Sequence, residues 1–150
     1  MSGARTQVGI VEWSRRIRGA RSMEMRLSAT LGTWVPLVPD AAAKILLARH
    51  ARHFAGHAEL WDGLVPVLHD VTVPDAISDP SLTQALAALT AATTPAAIYD
   101  DVLPHLVAVY RDWASEATPV AERPIMRVLD LTLRDIDFDA QEGHGHFGAG

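Results

Sequence analysis

Apolar residues recur at steps of three and four through Ile10, Trp13, Ile17, Ala20, Leu27 and Leu31. That spacing lines one face of an α-helix, so a first helix is expected over about Thr6 to Leu31. The stretch "WVPLVPD" ends it, because two prolines cannot continue a helix. Asp40 then caps a second helix, which opens "AAAKILLARH" and is expected to run to about His69. "DVTVPDAISDPSL", broken by Pro74 and Pro80, reads as a connection. Asp79 and Pro80 start a short helix to about Leu89. Thr94 and Pro95 repeat that signal and open a third long helix to about Ala117, with Pro104 inside it expected to kink it. "ATPVAERP" is the last turn, and a fourth helix covers about Pro124 to Gln141. No stretch alternates with period two for long enough to propose a strand. The expectation is all-α: a four-helix bundle over residues 1–141, with a long crossover between helices 2 and 3. The glycine-rich end "EGHGHFGAG", residues 142–150, reads as a flexible Gly/His tail.

The seams of these helices carry polar anomalies. On a wheel of about 100° per residue, Leu46, Phe54, Trp61, Leu64 and Leu68 share one face of helix 2. His50, His53 and His57 fall in the same sector, while Lys44, Arg52, Glu59 and Asp62 lie opposite. Helix 1 has Glu24 in its seam between Ala20 and Leu27, where a carboxylate is costly unless paired, hydrogen-bonded or protonated. Counting equally from the turn puts Glu24 and His50 each about 16 Å away, at ~1.5 Å per residue. Glu24 is therefore expected to face His50 and His53. Helix 3 presents Tyr99, Val102, Leu106, Val109, Tyr110 and Trp113, with His105 at the edge. Helix 4 presents Ile125, Leu129, Leu133 and Ile136, with Thr132 beside them. Asp130, Asp135 and Asp137 read as outward and solvated.

Composition narrows the chemistry. The chain has 150 residues, no cysteine and a formal charge of -5. Disulfides, thiolate chemistry and cysteine-ligated zinc are excluded. Without a basic block, nucleic-acid binding has little support. The arginines of "WSRRIRGAR" (Arg15, Arg16, Arg18 and Arg21) read as a solvated helix face. No stretch reads as a signal peptide or a membrane span, so a cytoplasmic protein with no membrane partner is expected.

Three uses of the histidine cluster stay open at this point. Glu24 with His50, His53 and His57 offers ligands for a single divalent transition metal, since imidazole suits iron, zinc, copper or nickel. Without metal, a His–Glu pair supports acid–base chemistry, histidine acting as general base and Glu24 orienting it. Trp13, Phe54, Trp61, Tyr99, His105, Tyr110 and Trp113 would then line the substrate pocket. As the third use, the cluster is core polarity that fixes helix register or a homodimer.

The segment "LGTWVPLVPDAAAKILLARHARHFAGHAELW" resembles the first hairpin of small bacterial ferritin-like domain proteins, and "ERPIMRVLDLTLRDI" resembles their fourth helix more loosely. The resemblance implies a ferritin-like bundle. Diiron members of that superfamily supply a glutamate from two helices and a Glu-x-x-His pair from the other two. Glu24 matches the first-helix glutamate and His53 the second-helix histidine, but His50 stands where that pair requires glutamate. Helix 4 has no Glu-x-x-His, and helix 3 has no seam glutamate at mid-height, so a full diiron centre is not expected. The expectation is a small-molecule tailoring enzyme with the catalytic set Glu24, His50, His53 and His57, metal-independent or using a single metal. The alternative is a non-catalytic interaction or metal-binding module.

Overall fold

In the computed structural model, which describes residues 9–64, 79–120 and 122–148, the chain is all-α, with five helices and no strand among those residues. Helix α1 spans Ile10–Trp34 and α2 spans Ala41–Asp62. Asp40 caps α2 as expected, accepting from the Ala43 N–H at 3.1 Å. The chain turns out of α2 at Gly63, and the expected continuation towards His69 and the connection after it lie outside the described residues. Of the expected first turn of α1, residues 6–8 lie outside them too, and Gly9 is extended, so the described helix starts at Ile10.

Asp79 accepts from the Ser81 N–H at 2.8 Å and starts a 3₁₀ turn, Pro80–Leu82, that leads into α3, Thr83–Ala91. Helix α4 covers residues 95–116 without a break, as a first turn Pro95–Ala97, a π-helical turn Ile98–Val102 and an α-helix Leu103–Glu116. The π turn is the local answer to Pro104. Proline has no N–H for the Asp100 carbonyl and its ring crowds that oxygen. The backbone widens instead, and the Leu103 N–H bonds to the Ile98 carbonyl, five residues back. Helix α5 spans Arg123–Phe147.

The apolar seams read from the spacing are buried: Trp13, Ile17, Ala20, Leu27 and Leu31 on α1, and Leu46, Phe54 and Trp61 on α2. Ile10 is the exception at 60 % exposed, because it opens the helix. Helices α1 and α2 pack along their lengths, α2 and α4 both pack against α5, and α3 lies on the π turn. Arg16 departs from the expected solvated face. It is buried between the rings of Trp13 and Trp113, 4.9 and 5.6 Å from their centroids, and pairs with Glu12 and Glu116. No helix among the described residues is long and apolar enough to cross a membrane.

The C-terminal end differs most from expectation. The fourth helix does not stop near Gln141, and residues 142–147 of the expected flexible tail are its last turns. Glycine is a poor helix former, so tertiary contacts must compensate. The Tyr99 ring lies directly on Gly143, where an added Cβ would come within 2.2 Å of it, and Phe147 stacks on the same ring at 5.9 Å. His146 pairs with Asp40 at 3.0 Å and His144 with Asp100 at 2.8 Å.

Candidate functional site

The three histidines of α2 each meet a carboxylate of α5. His50 Nε2 is 3.0 Å from Glu142 Oε1, His53 Nδ1 is 2.8 Å from Asp139 Oδ2, and His57 Nε2 is 2.7 Å from Asp135 Oδ2. The partners descend by three and four residues as the histidines ascend by three and four, the register of two antiparallel helices facing each other. On both helices these steps keep the residues on one face. The seam between α2 and α5 is thus a ladder with three polar rungs.

The rung at His57 belongs to a closed network. Glu24 is fully buried, and its Oε1 accepts from His57 Nδ1 at 2.7 Å. Its Oε2 accepts from Trp61 Nε1 at 2.5 Å and from the Tyr110 hydroxyl at 2.9 Å. Both ring nitrogens of His57 face carboxylates, which only accept when ionised, so the ring carries two protons and a positive charge. Burial pulls the His57 pKa down, but hydrogen bonds and charge from Glu24, then Asp135, outweigh it and raise it above the ordinary imidazole value. Burial and the Glu24 charge push the Tyr110 hydroxyl well above its usual range, so it stays a neutral donor. With three donors on one carboxylate and both imidazole nitrogens paired, this half is a satisfied core network.

The half around His50 is built differently. Tyr99, in the π turn, places its hydroxyl 2.7 Å from His50 Nδ1. Burial first, then the charges of Asp139 and Glu142, raise the Tyr99 pKa, so the phenol is protonated and donates to His50. The Nε2–H of His50 then points to Glu142, with Asp139 Oδ1 also within 3.4 Å. Asp139 is fully buried, and its desolvation raises its pKa against the opposing pull of His53 and His50. Glu142 is lowered by its bond to His50 and by Arg49, whose guanidinium donates to Oε2 at 2.5 Å. One ligand atom each from His50, Asp139 and Glu142 lies within 4.8 Å of the others, the one group of metal-ligand type found among the described residues.

Several expected placements change. Glu24 faces His57, two helical turns beyond His50, and bonds to neither His50 nor His53. Equal counting fails because residues 38–40 are not helical and advance the chain further per residue than a helix does. Asp135 is not simply solvated, since it closes the His57 pair; Asp130 and Asp137 are exposed, as expected. His105 is exposed and lines a cleft with Asp100 and Asp101, away from the histidine ladder. Trp61, Tyr110 and Trp113 pack on one another at 5.5 to 6.4 Å between centroids, and Trp13 and Phe54 are buried with them. Of the expected pocket aromatics, Tyr99 alone bonds to a histidine of the ladder.

Asp139 and Glu142 were absent from the expected set. Their signal was present in the sequence: Asp135, Asp139 and Glu142 are spaced by four and three, complementary to the histidines. Glu142 lies one residue beyond the expected helix end at Gln141, while Asp139 lies within that helix. Comparison with protein-family models, curated proteins and solved structures finds no match.

Proposed function

We propose that His50, Asp139 and Glu142 hold a single divalent transition metal, at which a ferritin-like four-helix bundle acts on a small molecule. The observation that carries this reading is the convergence of the three ligand atoms within 4.8 Å, two of the three residues being buried. One imidazole and two carboxylates suit iron(II), manganese(II) or zinc. Two carboxylates beside a neutral imidazole also leave a negative charge that a divalent cation balances. Tyr99 and His53 support the set from behind: with Nε2 on the metal, His50 carries its proton on Nδ1 and donates it to the Tyr99 oxygen, and His53 orients Asp139. Three protein ligands leave coordination positions free, the feature that separates a reacting centre from a closed structural one. A metal held by these residues would polarise a substrate oxygen or acidify a bound water. Four long helices with the short α3 between the second and third favour the ferritin-like arrangement. In this reading Glu24 and His57 belong to the core network beside the centre and are not its ligands.

A second reading rests on the line Tyr99–His50–Glu142, in which hydroxyl, imidazole and carboxylate are joined by bonds of 2.7 and 3.0 Å. That line can move a proton without metal. Elemental analysis of untagged protein, grown with iron, manganese and zinc supplied, decides between them. The metal reading expects about one ion per chain, lost in Asp139→Asn. Metal-free wild-type protein after such loading removes the first reading and leaves the acid–base line.

A further inference from the structure

The His50 cluster is closed on one side and open on the other. His50 and Asp139 have no exposed side-chain surface, whereas the side chains of His53, Glu142 and Arg49 keep 34, 26 and 46 %. The exposed edge of the cluster is formed by these three groups. We infer that the centre takes a small carboxylate or similar oxyanion as its exogenous ligand, with Arg49 as the group that binds the anion. This inference rests on the metal reading above.

The geometry of Glu142 carries it. This carboxylate turns Oε1 to His50 Nε2 at 3.0 Å and Oε2 to Arg49 at 2.5 Å, so one side chain spans the ligand set and the guanidinium. Arg49 is thereby anchored beside the open edge. It spends one N–H on Glu142, and a guanidinium has five donors in a planar fork that matches a carboxylate. His53 uses Nδ1 on Asp139, and its Nε2 has no partner among the described residues. The unspent N–H groups of Arg49 therefore border the free positions.

Charge selects the class of ligand. A divalent cation with Asp139, Glu142 and a neutral His50 is neutral as a unit. A neutral ligand adds no partner for Arg49 beyond Glu142 and water, whereas a monoanion pairs with its unspent N–H groups. One oxygen on the metal and the other on the guanidinium is the arrangement that a carboxylate satisfies and ammonia or imidazole does not.

The test uses the full chain loaded with cobalt(II), whose visible bands report coordination, and acetate as the probe. The expected result is a saturable change of those bands with acetate. In Arg49→Gln at saturating cobalt, acetate affinity should fall by about tenfold, the worth of one charge-assisted hydrogen bond. Arg49→Lys should lose less, and Arg52→Gln, on the exposed face of the same helix, should match wild type. Cobalt bands that acetate leaves unchanged, or equal acetate affinity in wild type and Arg49→Gln, overturn this inference and leave the metal centre standing. Wild-type protein without cobalt bands overturns both.

Discussion

His57 donates both of its ring N–H groups to carboxylates, to Glu24 of α1 at 2.7 Å and to Asp135 of α5 at 2.7 Å. A buried imidazolium ties three helices together through these two bonds. Glutamine at position 24 keeps one oxygen for the Trp61 and Tyr110 donors but leaves the imidazolium without its carboxylate on α1. Glu24→Gln should therefore destabilise the protein by about 3 kcal/mol, read by urea denaturation. Metal content should stay near that of wild type, because Glu24 touches none of the ligands proposed.

The same pair makes stability depend on pH. His57 titrates above its ordinary value of 6.5 in the folded chain, despite burial, because of Glu24 and Asp135. A base whose folded pKa is raised binds its proton more tightly folded than unfolded. Its contribution is complete below the unfolded value and is lost as pH rises through the folded one. The stability difference between wild type and His57→Gln should be largest in mild acid and shrink steadily above about pH 6.5. A difference that grows with pH would contradict the assignment of a charged His57.

For Asp139 it is the charged form that the fold disfavours. Its desolvation raises its pKa from 3.8, so an ionised Asp139 weighs against the metal-free fold, and that cost sets in as pH rises from 3.8 through the folded value. Asp139→Asn keeps an acceptor for His53 and removes the charge. Without metal, the variant should melt at or above the wild-type temperature at neutral pH. Its metal affinity should fall below detection by calorimetry. Simultaneous loss of fold and metal would instead mark Asp139 as a structural residue.

Tyr99 acts on the centre through His50. Tyr99→Phe keeps the ring on Gly143 and deletes one 2.7 Å hydrogen bond. Stability should drop by about 1 kcal/mol. Metal affinity should drop by about tenfold, as for other groups that orient a metal-binding histidine. Competition with a chelator of known affinity measures it.

Gly143 and Gly56 should respond in opposite directions to alanine. A Cβ at Gly143 would lie 2.2 Å from the Tyr99 ring, while one at Gly56 meets nothing within 4 Å. Gly143→Ala should cost about 2 kcal/mol through displaced packing and should disturb the Tyr99–His50 bond. Gly56→Ala, on an exposed helix face, should stabilise by about 0.5–1 kcal/mol. Thermal melts of the two variants give the signs directly.

The helices and their buried faces were legible along the chain because hydrophobic spacing, caps and prolines act locally. Asp40, Asp79 and Thr94 cap where they stand, and Pro104 disturbs its own helix whatever packs around it. The burial of His50, His57 and Glu24 was legible for the same reason, since a helix wheel needs no knowledge of other helices. Partnership is another matter. The level at which α1 meets α2 depends on the path of residues 35–40, and a small difference in that path moved Glu24 from His50 to His57. The last turns of α5 have a glycine-rich sequence with weak helical preference. They are helical because Tyr99, Asp40 and Asp100 hold them, contacts made across the fold and not along the chain. Local sequence thus determined most of the apolar face of each helix, though not the burial of Arg16 or Asp139. Only the tertiary structure decided which residues meet, and so that Asp139 and Glu142, not Glu24, complete the cluster around His50.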